Sequence, residues 1–298
     1  MGNENEHESN PLDELVEAIS SGKEAIIAFD LAGTLEPPAK PAKEGDWSKQ
    51  DEYWKDQLQL LKSAIENLKS INPNIKTAII TNGMPAEIKD VQEILQIDFP
   101  FVEGGFPIKD GTTEMTEERK EHVKQQKEAV EEFFKSSKRQ VEIYSDATIK
   151  IVLPDATEEE LNNLSAGLQK HLENKNLLQK DEANKEIIKV NKSNKAIYVQ
   201  LANKTKENVI NELAKMHPDA IICYAGDDKS DEKAMGNAEV VFLPGNAVDE
   251  LVEEFKDKAI QGEGTATKGI VDIAGKLLIL MGLLRKEDAS KNKEKLPS

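Results

Sequence analysis

The sequence is short of cysteine, of aromatic residues and of positive charge. Its 298 residues include one cysteine, Cys223, and only 5% of them are aromatic. A single cysteine excludes an internal disulfide, and its place in the apolar run "AIICYAG" predicts that Cys223 packs in the core. Acidic residues outnumber basic ones by 56 to 39, which gives a net charge of -17. This charge argues against nucleic acid or an anionic membrane as the main partner.

Long hydrophobic runs are also missing. The most apolar stretch, "GIVDIAGKLLILMGLL", is interrupted by Asp272 and Lys276 and is too short to span a bilayer, so it predicts a buried helix. The first residues, "MGNENEHESN", have neither the basic start nor the apolar centre of a signal peptide. We therefore expect a cytoplasmic protein with no membrane partner, present as a monomer or a weak oligomer.

Alternation of strands and helices predicts an α/β fold with a parallel sheet. Residues 25–30 and 77–82 are short apolar runs of the kind that form buried parallel strands. Between them, apolar residues at helical spacing predict an amphipathic helix: Trp54, Leu58, Leu61, Ile65 and Leu68. The same pattern returns late in the chain, where the helix "NVINELAKM" precedes the strands "AIICYAG" and "AEVVFLPG". Strand–helix–strand crossovers imply parallel pairing.

The middle of the chain has a different pattern. A polar helix precedes "QVEIYSDATIKIVLP", which alternates like a hairpin, and Thr157 with Glu160 forms a capping-box pattern. "KEIIKVN" and "KAIYVQL" predict a strand pair joined at Ser193 and Asn194. We therefore predict an α+β insert at 113–201 within a core made of 1–112 and 202–284, followed by a loose tail at 285–298.

Polar side chains follow the ends of several predicted strands and the start of one helix. They are Asp30 and Thr34, then Thr81 and Asn82, then Lys204 and Lys206, then Asp227, Asp228 and Asp231. In an open α/β sheet, ligands bind outside the carboxyl ends of the strands. Carboxylates suit Mg²⁺, while hydroxyl, amide and ammonium groups stabilise phosphate oxygens. Each motif alone is compatible with a helix cap, a turn or a surface charge, but together they predict a phosphate-handling site.

The motif order D-x-x-G-T-L, T-N, K and G-D-D-x-x-D resembles that of the haloacid dehalogenase superfamily. The resemblance implies a Rossmann-like parallel-sheet core with an inserted α+β cap of the C2 type. It also implies phosphatase chemistry through an aspartyl-phosphate with Mg²⁺ as cofactor. Within the superfamily, "GDDKSDE" is most similar to the GDDxTDE motif of trehalose-6-phosphate phosphatases. A small phosphorylated molecule, in particular a sugar phosphate, is the implied substrate.

The resemblance also implies roles for individual residues. Asp30 becomes the nucleophile and a metal ligand, Ala32 binds the metal through its backbone carbonyl, and Asp227 completes the metal site. Thr34, Thr81 and Asn82 belong to the phosphate-binding set, and Lys206 neutralises the phosphate and the nucleophile. Lys206 is preferred to Lys204 because "KENVINEL" fits the family's KGxAVxxL pattern in register. Asp228 and Asp231 take supporting roles, the latter by orienting the lysine.

The sequence departs from the family in two places. The family's phosphatases have an aspartate as general acid and base where this chain has Ala32. In the cap, Glu142 is the one match to the sugar-binding residues of trehalose-6-phosphate phosphatases. Three interpretations of Ala32 follow: an engineered inactivation of a sugar-phosphate phosphatase, a naturally dead protein that binds a phosphorylated ligand or a protein, or a phosphonate hydrolase. Phosphonoacetaldehyde hydrolases carry D-x-A-G-T, but their cap lies between the first and second motifs, where this chain has little room.

Overall fold

The computed structural model describes residues 10–36, 47–109, 112–135, 140–179, 185–191 and 195–294, of which 47–51, 191 and 283–294 are described by their backbone alone. The strands in chain order are β1 Ala25–Phe29, β2 Ile75–Ile80, β3 Phe99–Val102, β4 Phe106–Lys109, β5 Thr112–Thr113, β6 Glu142–Ser145, β7 Ile149–Val152, β8 Glu186–Asn191, β9 Ala196–Leu201, β10 Ile221–Ala225, β11 Val240–Leu243 and β12 Ala259–Gln261. The helices are α1 Pro11–Ser20, α2 Trp47–Ile71, α3 Lys89–Leu95, α4 Glu117–Phe134, α5 Glu158–Asn174, α6 Lys206–Met216, α7 Glu232–Gly236, α8 Asp249–Glu254 and α9 Thr267–Glu294.

The chain forms two compact units, which we call the core unit and the cap unit. The core unit comprises 1–81, 87–101 and 209–298, and the cap unit comprises 82–86 and 102–208. Within the described residues, the core unit holds a parallel sheet in the order β12, β11, β10, β1, β2, β3. The predicted α/β class with a parallel sheet is confirmed. The two central strands, β1 and β10, pair directly, which brings their carboxyl ends to one edge.

Burial explains why these segments form the core sheet. All five residues of β1 are buried, as are the last four of β10, because helices cover both faces of a parallel sheet. Cys223 lies on β10 and is fully buried, as predicted, and burial raises the pKa of its thiol. The helix α2 buries its predicted apolar stripe of Leu58, Leu61, Ile65 and Leu68.

The cap unit contains an antiparallel sheet in the order β6, β7, β9, β8, with α4 and α5 packed on it. The predicted hairpin is the pair β6 and β7, and the predicted strand pair is β8 and β9. The Ser193 and Asn194 connection lies outside the described residues. The capping box at the start of α5 is confirmed, because Thr157 and Glu160 each accept the other's backbone N–H. The predicted α+β architecture of the middle segment is therefore confirmed.

The long apolar segment near the end of the chain forms α9, but only one face of this helix is buried. Ile273, Leu277 and Met281 are buried, whereas Ile279 is 65% exposed. The predicted buried helix is therefore buried along one row of its apolar residues, and Asp272 and Lys276, the two charged residues that interrupt the apolar run, pair at 2.9 Å. Among the described residues, no helix combines the length and the apolar content that crossing a membrane requires.

Candidate active site

The site of the core unit is built at the carboxyl ends of three neighbouring strands. Asp30 directly follows β1, Thr81 directly follows β2, and Asp227 comes two residues after β10. Since these strands are parallel and paired in the order β10, β1, β2, their ends lie side by side. Asp30 and Thr81 are both buried, with 5% and 4% of their surface exposed. The sheet topology therefore gathers three of the predicted site residues within one unit.

Three carboxylates converge at this edge. One oxygen from each of Asp30, Asp227 and Asp231 lies within 4.8 Å of the others. Burial raises the pKa of Tyr224 well above its usual value, and the nearby charges of these three aspartates raise it further. The three carboxylates thus concentrate negative charge at this edge, which is the environment that a hard divalent cation with oxygen ligands compensates.

Hydrogen bonds distinguish the roles of these carboxylates. Asp231 is fully buried and accepts the Tyr224 hydroxyl at 2.7 Å on one oxygen. Its other oxygen accepts the backbone N–H groups of Asp227 and Asp228 at 3.3 and 3.5 Å. Asp231 thus holds the loop that carries Asp227, while Asp30 and Asp227 are the residues best placed to ligate a metal. The donor set therefore fits the implied Mg²⁺.

The loop after β1 is a tight turn that only glycine permits at its centre. Gly33 has a φ of +80°, and a Cβ atom built there would lie 2.1 Å from Oδ2 of Asp227. The Leu31 carbonyl accepts the N–H groups of Leu35 and Glu36 at 2.9 and 2.7 Å, and Gly33 N–H donates to the Glu36 carbonyl at 2.9 Å. The turn leaves Ala32 exposed, with a methyl group where the family has a carboxylate.

The outer end of this loop is fastened by side chains from two helices. Trp54 of α2 donates its indole N–H to the Leu35 carbonyl at 2.6 Å, and the Thr267 hydroxyl at the start of α9 donates to the same oxygen. The next residue, Glu36, is partly buried near Glu87 and Asp90. Burial, with these two carboxylates, raises the pKa of Glu36 to about 7. Glu36 thus exchanges its proton near neutral pH, a property that its sequence position does not reveal.

Thr34 is fully buried and donates its hydroxyl to Oδ1 of Asp227 at 3.1 Å. A hydroxyl has one hydrogen to donate, so this contact uses the donor that a phosphate would need. The contact lets Thr34 position Asp227, and the phosphate contact of Thr34 stays a prediction.

Asn246 is a site residue that sequence reasoning missed. Its amide nitrogen donates to the Gly33 carbonyl at 2.8 Å and to Oδ2 of Asp227 at 3.2 Å. Its amide oxygen accepts the Ala266 N–H at 2.6 Å. Asn246 thereby ties together the loops after β1, β10 and β12. Its signal in the sequence is a polar side chain three residues after β11, in "FLPGNAV".

The remaining predicted residues lie in the cap unit or on the surface. Asn82 and Lys206 belong to the cap unit, and Lys206, the first residue of α6, is buried. The Lys204 ammonium contacts the Gly105 carbonyl at 3.2 Å and lies 5.1 Å from the centre of the Phe106 ring. Asp228 is exposed and accepts the backbone N–H of Ser230. These contacts hold Lys204 within the cap unit, and the choice of Lys206 as the site lysine stays a prediction.

Comparison with known proteins identifies the fold. No family model matches the chain, and no curated protein matches it. A haloacid dehalogenase-like hydrolase from Bacteroides thetaiotaomicron has a TM-score of 0.57 and 13% identity, covering 86% of this chain and all of its own. A trehalose-6-phosphate phosphatase related protein has a TM-score of 0.52 and 17% identity over 88% of this chain and all of its own.

A sucrose-phosphatase from Synechocystis sp. PCC6803, solved with sucrose and phosphate, has a TM-score of 0.51 and 13% identity over 86% of this chain and 98% of its own. These likenesses extend over nearly the whole of each solved chain. The protein therefore has the haloacid dehalogenase fold, a core with an inserted cap, and the resemblance indicated by the motifs is confirmed at the level of the fold. The solved structures that share this fold include a trehalose-6-phosphate phosphatase related protein.

Proposed function

We propose that this protein is a phosphatase of the haloacid dehalogenase type, dependent on Mg²⁺ and directed at a sugar phosphate, with its activity impaired at Ala32. One observation carries the proposal: Asp30, Asp227 and Asp231 converge at the carboxyl ends of β1 and β10, with one oxygen of each within 4.8 Å of the others. A phosphatase that works through an aspartyl-phosphate needs a nucleophile beside a cation-binding carboxylate, and this arrangement supports both roles.

In the proposed reaction, a carboxylate oxygen of Asp30 attacks phosphorus and the ester oxygen of the substrate departs with the bonding electrons. Water then hydrolyses the aspartyl-phosphate and restores the carboxylate. Asp30, Asp227 and the Ala32 carbonyl would hold Mg²⁺, which when bound polarises a phosphoryl oxygen. Thr34 and Asn246 fix the Asp227 side chain, so that its oxygens keep one orientation.

The phosphate contacts of the proposal come from Thr81, Asn82 and Lys206. A hydroxyl, an amide and an ammonium group are the donors that stabilise developing charge on phosphoryl oxygens. Thr81 directly follows β2 in the core unit, and Asn82 is the next residue along the chain. Lys206 is buried, which suits a charge that is neutralised by a ligand or a partner.

Ala32 accounts for the proposed impairment. Its methyl group can neither protonate the departing ester oxygen nor take a proton from the attacking water. Losing a general acid and base typically slows a reaction by about 10²–10⁴. Proton transfer must then use bulk water, to which Ala32 is exposed. The effect should be largest for substrates whose leaving oxygen is strongly basic, as in a sugar phosphate.

A second candidate function follows from the same residue. A chain that keeps the carboxylate cluster but has Ala32 in place of the acid is suited to binding a phosphorylated ligand without turning it over. This alternative explains why the cap strands keep Glu142 alone among the sugar contacts of the trehalose-6-phosphate phosphatases. It differs from the first candidate in that restoring the acid would not produce turnover.

Phosphate release assays separate the two candidates. This chain and Ala32→Asp are compared with Mg²⁺ on a panel that includes trehalose 6-phosphate and sucrose 6-phosphate. We expect the aspartate to raise turnover by about 10²–10⁴ on one of these esters. Asp30→Asn in the restored background is the matched control and should abolish the gain. Silence of both proteins on every ester would refute the phosphatase proposal and favour the binding protein.

A further inference from the structure

Tyr224 brings a hydroxyl group into the apolar core of the core unit, next to the carboxylate site. It is the fourth residue of β10, is fully buried, and packs in a hydrophobic cluster that includes Ile26 and Ala28 of β1 and Ile210 of α6. A phenylalanine ring would fill this space equally well, and a buried hydroxyl group costs free energy unless it has a hydrogen-bond partner. The hydroxyl of Tyr224 therefore calls for an explanation other than packing.

The partner of this hydroxyl is Asp231, which is also fully buried. The Tyr224 hydroxyl donates to Oδ1 of Asp231 at 2.7 Å. A hydrogen bond to a carboxylate is roughly twice as strong as one between neutral groups. Because the close-packed core holds the Tyr224 ring, the hydroxyl keeps one position. Asp231 thus accepts a hydrogen bond from a donor that the packing of the core unit holds in place.

The side chain of Asp231 serves the loop after β10 and not the helix that follows. Asp231 occupies the N-cap position of α7, where an aspartate normally accepts a backbone N–H of the first helical turn, but its side chain makes no such bond. Instead, its Oδ2 accepts the N–H groups of Asp227 and Asp228. Gly226 leaves the space for this arrangement, because a Cβ atom built there would lie 2.7 Å from Cβ and Cγ of Asp231.

The position of Asp227 depends on this arrangement. The backbone hydrogen bonds from Asp227 and Asp228 to Asp231 are long, at 3.3 and 3.5 Å, so they require the Asp231 carboxylate to keep its orientation. The contact with the Tyr224 hydroxyl, at 2.7 Å, is the shortest of the three and fixes that orientation. Mg²⁺ requires oxygen ligands at about 2.0–2.1 Å in near-octahedral geometry, so a small displacement of Asp227 lowers the affinity for the metal.

We propose that Tyr224 is a positioning residue of the metal site, which acts through Asp231 to hold Asp227 where it can ligate Mg²⁺. The inference rests on the proposed function, since it takes Asp30 and Asp227 as metal ligands. Residues that support metal ligands from outside the coordination sphere typically contribute about 10–100-fold to metal affinity. Tyr224 adds such a residue in the core of the protein.

The test is calorimetric titration of Mg²⁺ into the full chain, into Tyr224→Phe and into Tyr198→Phe. Phenylalanine keeps the ring and removes only the hydroxyl group. Tyr198 is a buried tyrosine of the cap unit, so its variant controls for the loss of a buried hydroxyl. We expect Tyr224→Phe to weaken Mg²⁺ binding by about tenfold or more, and Tyr198→Phe by less than about twofold.

The outcomes separate this inference from the proposed function. Absence of Mg²⁺ binding by the wild type would refute the proposed function and this inference with it. Binding by the wild type with unchanged affinity in Tyr224→Phe, or equal losses in the two tyrosine variants, would overturn this inference alone.

A double-variant comparison tests the route through Asp231. Asp231→Ala removes the acceptor of the Tyr224 hydroxyl, so adding Tyr224→Phe to it should change the Mg²⁺ affinity by less than about twofold. Losses that add in the double variant would overturn the proposed route.

Fluorine NMR of the wild type labelled with 3-fluorotyrosine does not depend on the folding of Asp231→Ala. The chain has four tyrosines, and the resonance of Tyr224 is the one that Tyr224→Phe lacks. Mg²⁺ should shift this resonance and leave that of the exposed Tyr53 in place. A Tyr224 resonance that does not move at saturating Mg²⁺ would contradict the proposal.

Discussion

Because Glu103 is buried and has a raised pKa, we predict that the stability of the cap unit falls as the pH rises toward 8. The side chain is buried, and its carboxylate accepts the N–H groups of Ala147 and Thr148 at 3.0 and 2.8 Å. Burial nevertheless raises its pKa to about 7; the backbone hydrogen bonds lower it in part, and the nearby Asp146 raises it.

The sign follows from proton binding. The native state keeps the Glu103 proton up to a pH of about 7, whereas the unfolded chain releases it near the ordinary pKa of 4.5. Between these values the native state binds more protons, so the free energy of unfolding falls as the pH rises through that window. The rise from 4.5 to about 7 corresponds to about 3 kcal/mol lost by pH 8.

Urea unfolding of the wild type and of Glu103→Gln at pH 5, 6, 7 and 8 measures this contribution. Glutamine is neutral throughout, so the wild-type stability relative to the variant should decline by about 2.5 kcal/mol from pH 5 to pH 8. Exposed Glu114→Gln is the control and should leave the difference flat. A difference that stays constant, or grows with pH, would refute the reasoning about Glu103.

Two substitutions test the loop that supports Asp227. Gly33→Ala should destabilise the protein by about 2 kcal/mol or more, because the added methyl group clashes with Asp227 and an alanine is also strained in the left-handed backbone conformation. Gly22→Ala is the control, since Gly22 has a φ of +83° but no atom within 4 Å of the added Cβ. It should show only the backbone penalty of about 1–2 kcal/mol. Asn246→Ala should lower the free energy of unfolding by about 1–3 kcal/mol, since the Ala266 N–H loses its partner, and should weaken Mg²⁺ binding. Urea unfolding and calorimetry measure these effects, and equal losses in the two glycine variants would contradict the clash.

The sequence was sufficient to predict the sheet edge that carries the site. Short apolar runs fixed β1, β2 and β10, and a parallel sheet aligns the residues that follow them. For this reason Asp30, Thr81 and Asp227 could be placed together without coordinates. The capping box of α5 and the antiparallel cap strands were predictable for the same reason, since both depend on short-range patterns.

The features of the site that the sequence patterns did not predict depend on contacts between distant parts of the chain. Asn246 reaches Gly33 across 213 positions, and the hydroxyl of Thr34 reaches Asp227 across 193. The burial of Glu103, an acidic residue with a left-handed backbone conformation, has no local signal either. The run that forms α9 predicted a buried helix, but its apolar pattern did not indicate that Ile279 is exposed.

The measurement that tests the central claim most directly is calorimetric titration of Mg²⁺ into the wild type, Asp227→Asn and Asp228→Asn. The two variants remove the same charge at adjacent positions, one in the carboxylate cluster and one exposed. We predict that the wild type binds Mg²⁺, that Asp227→Asn weakens binding by about tenfold or more, and that Asp228→Asn changes it by less than about threefold. Absence of Mg²⁺ binding by the wild type, or equal losses in the two variants, would contradict a metal-dependent site at the ends of β1 and β10.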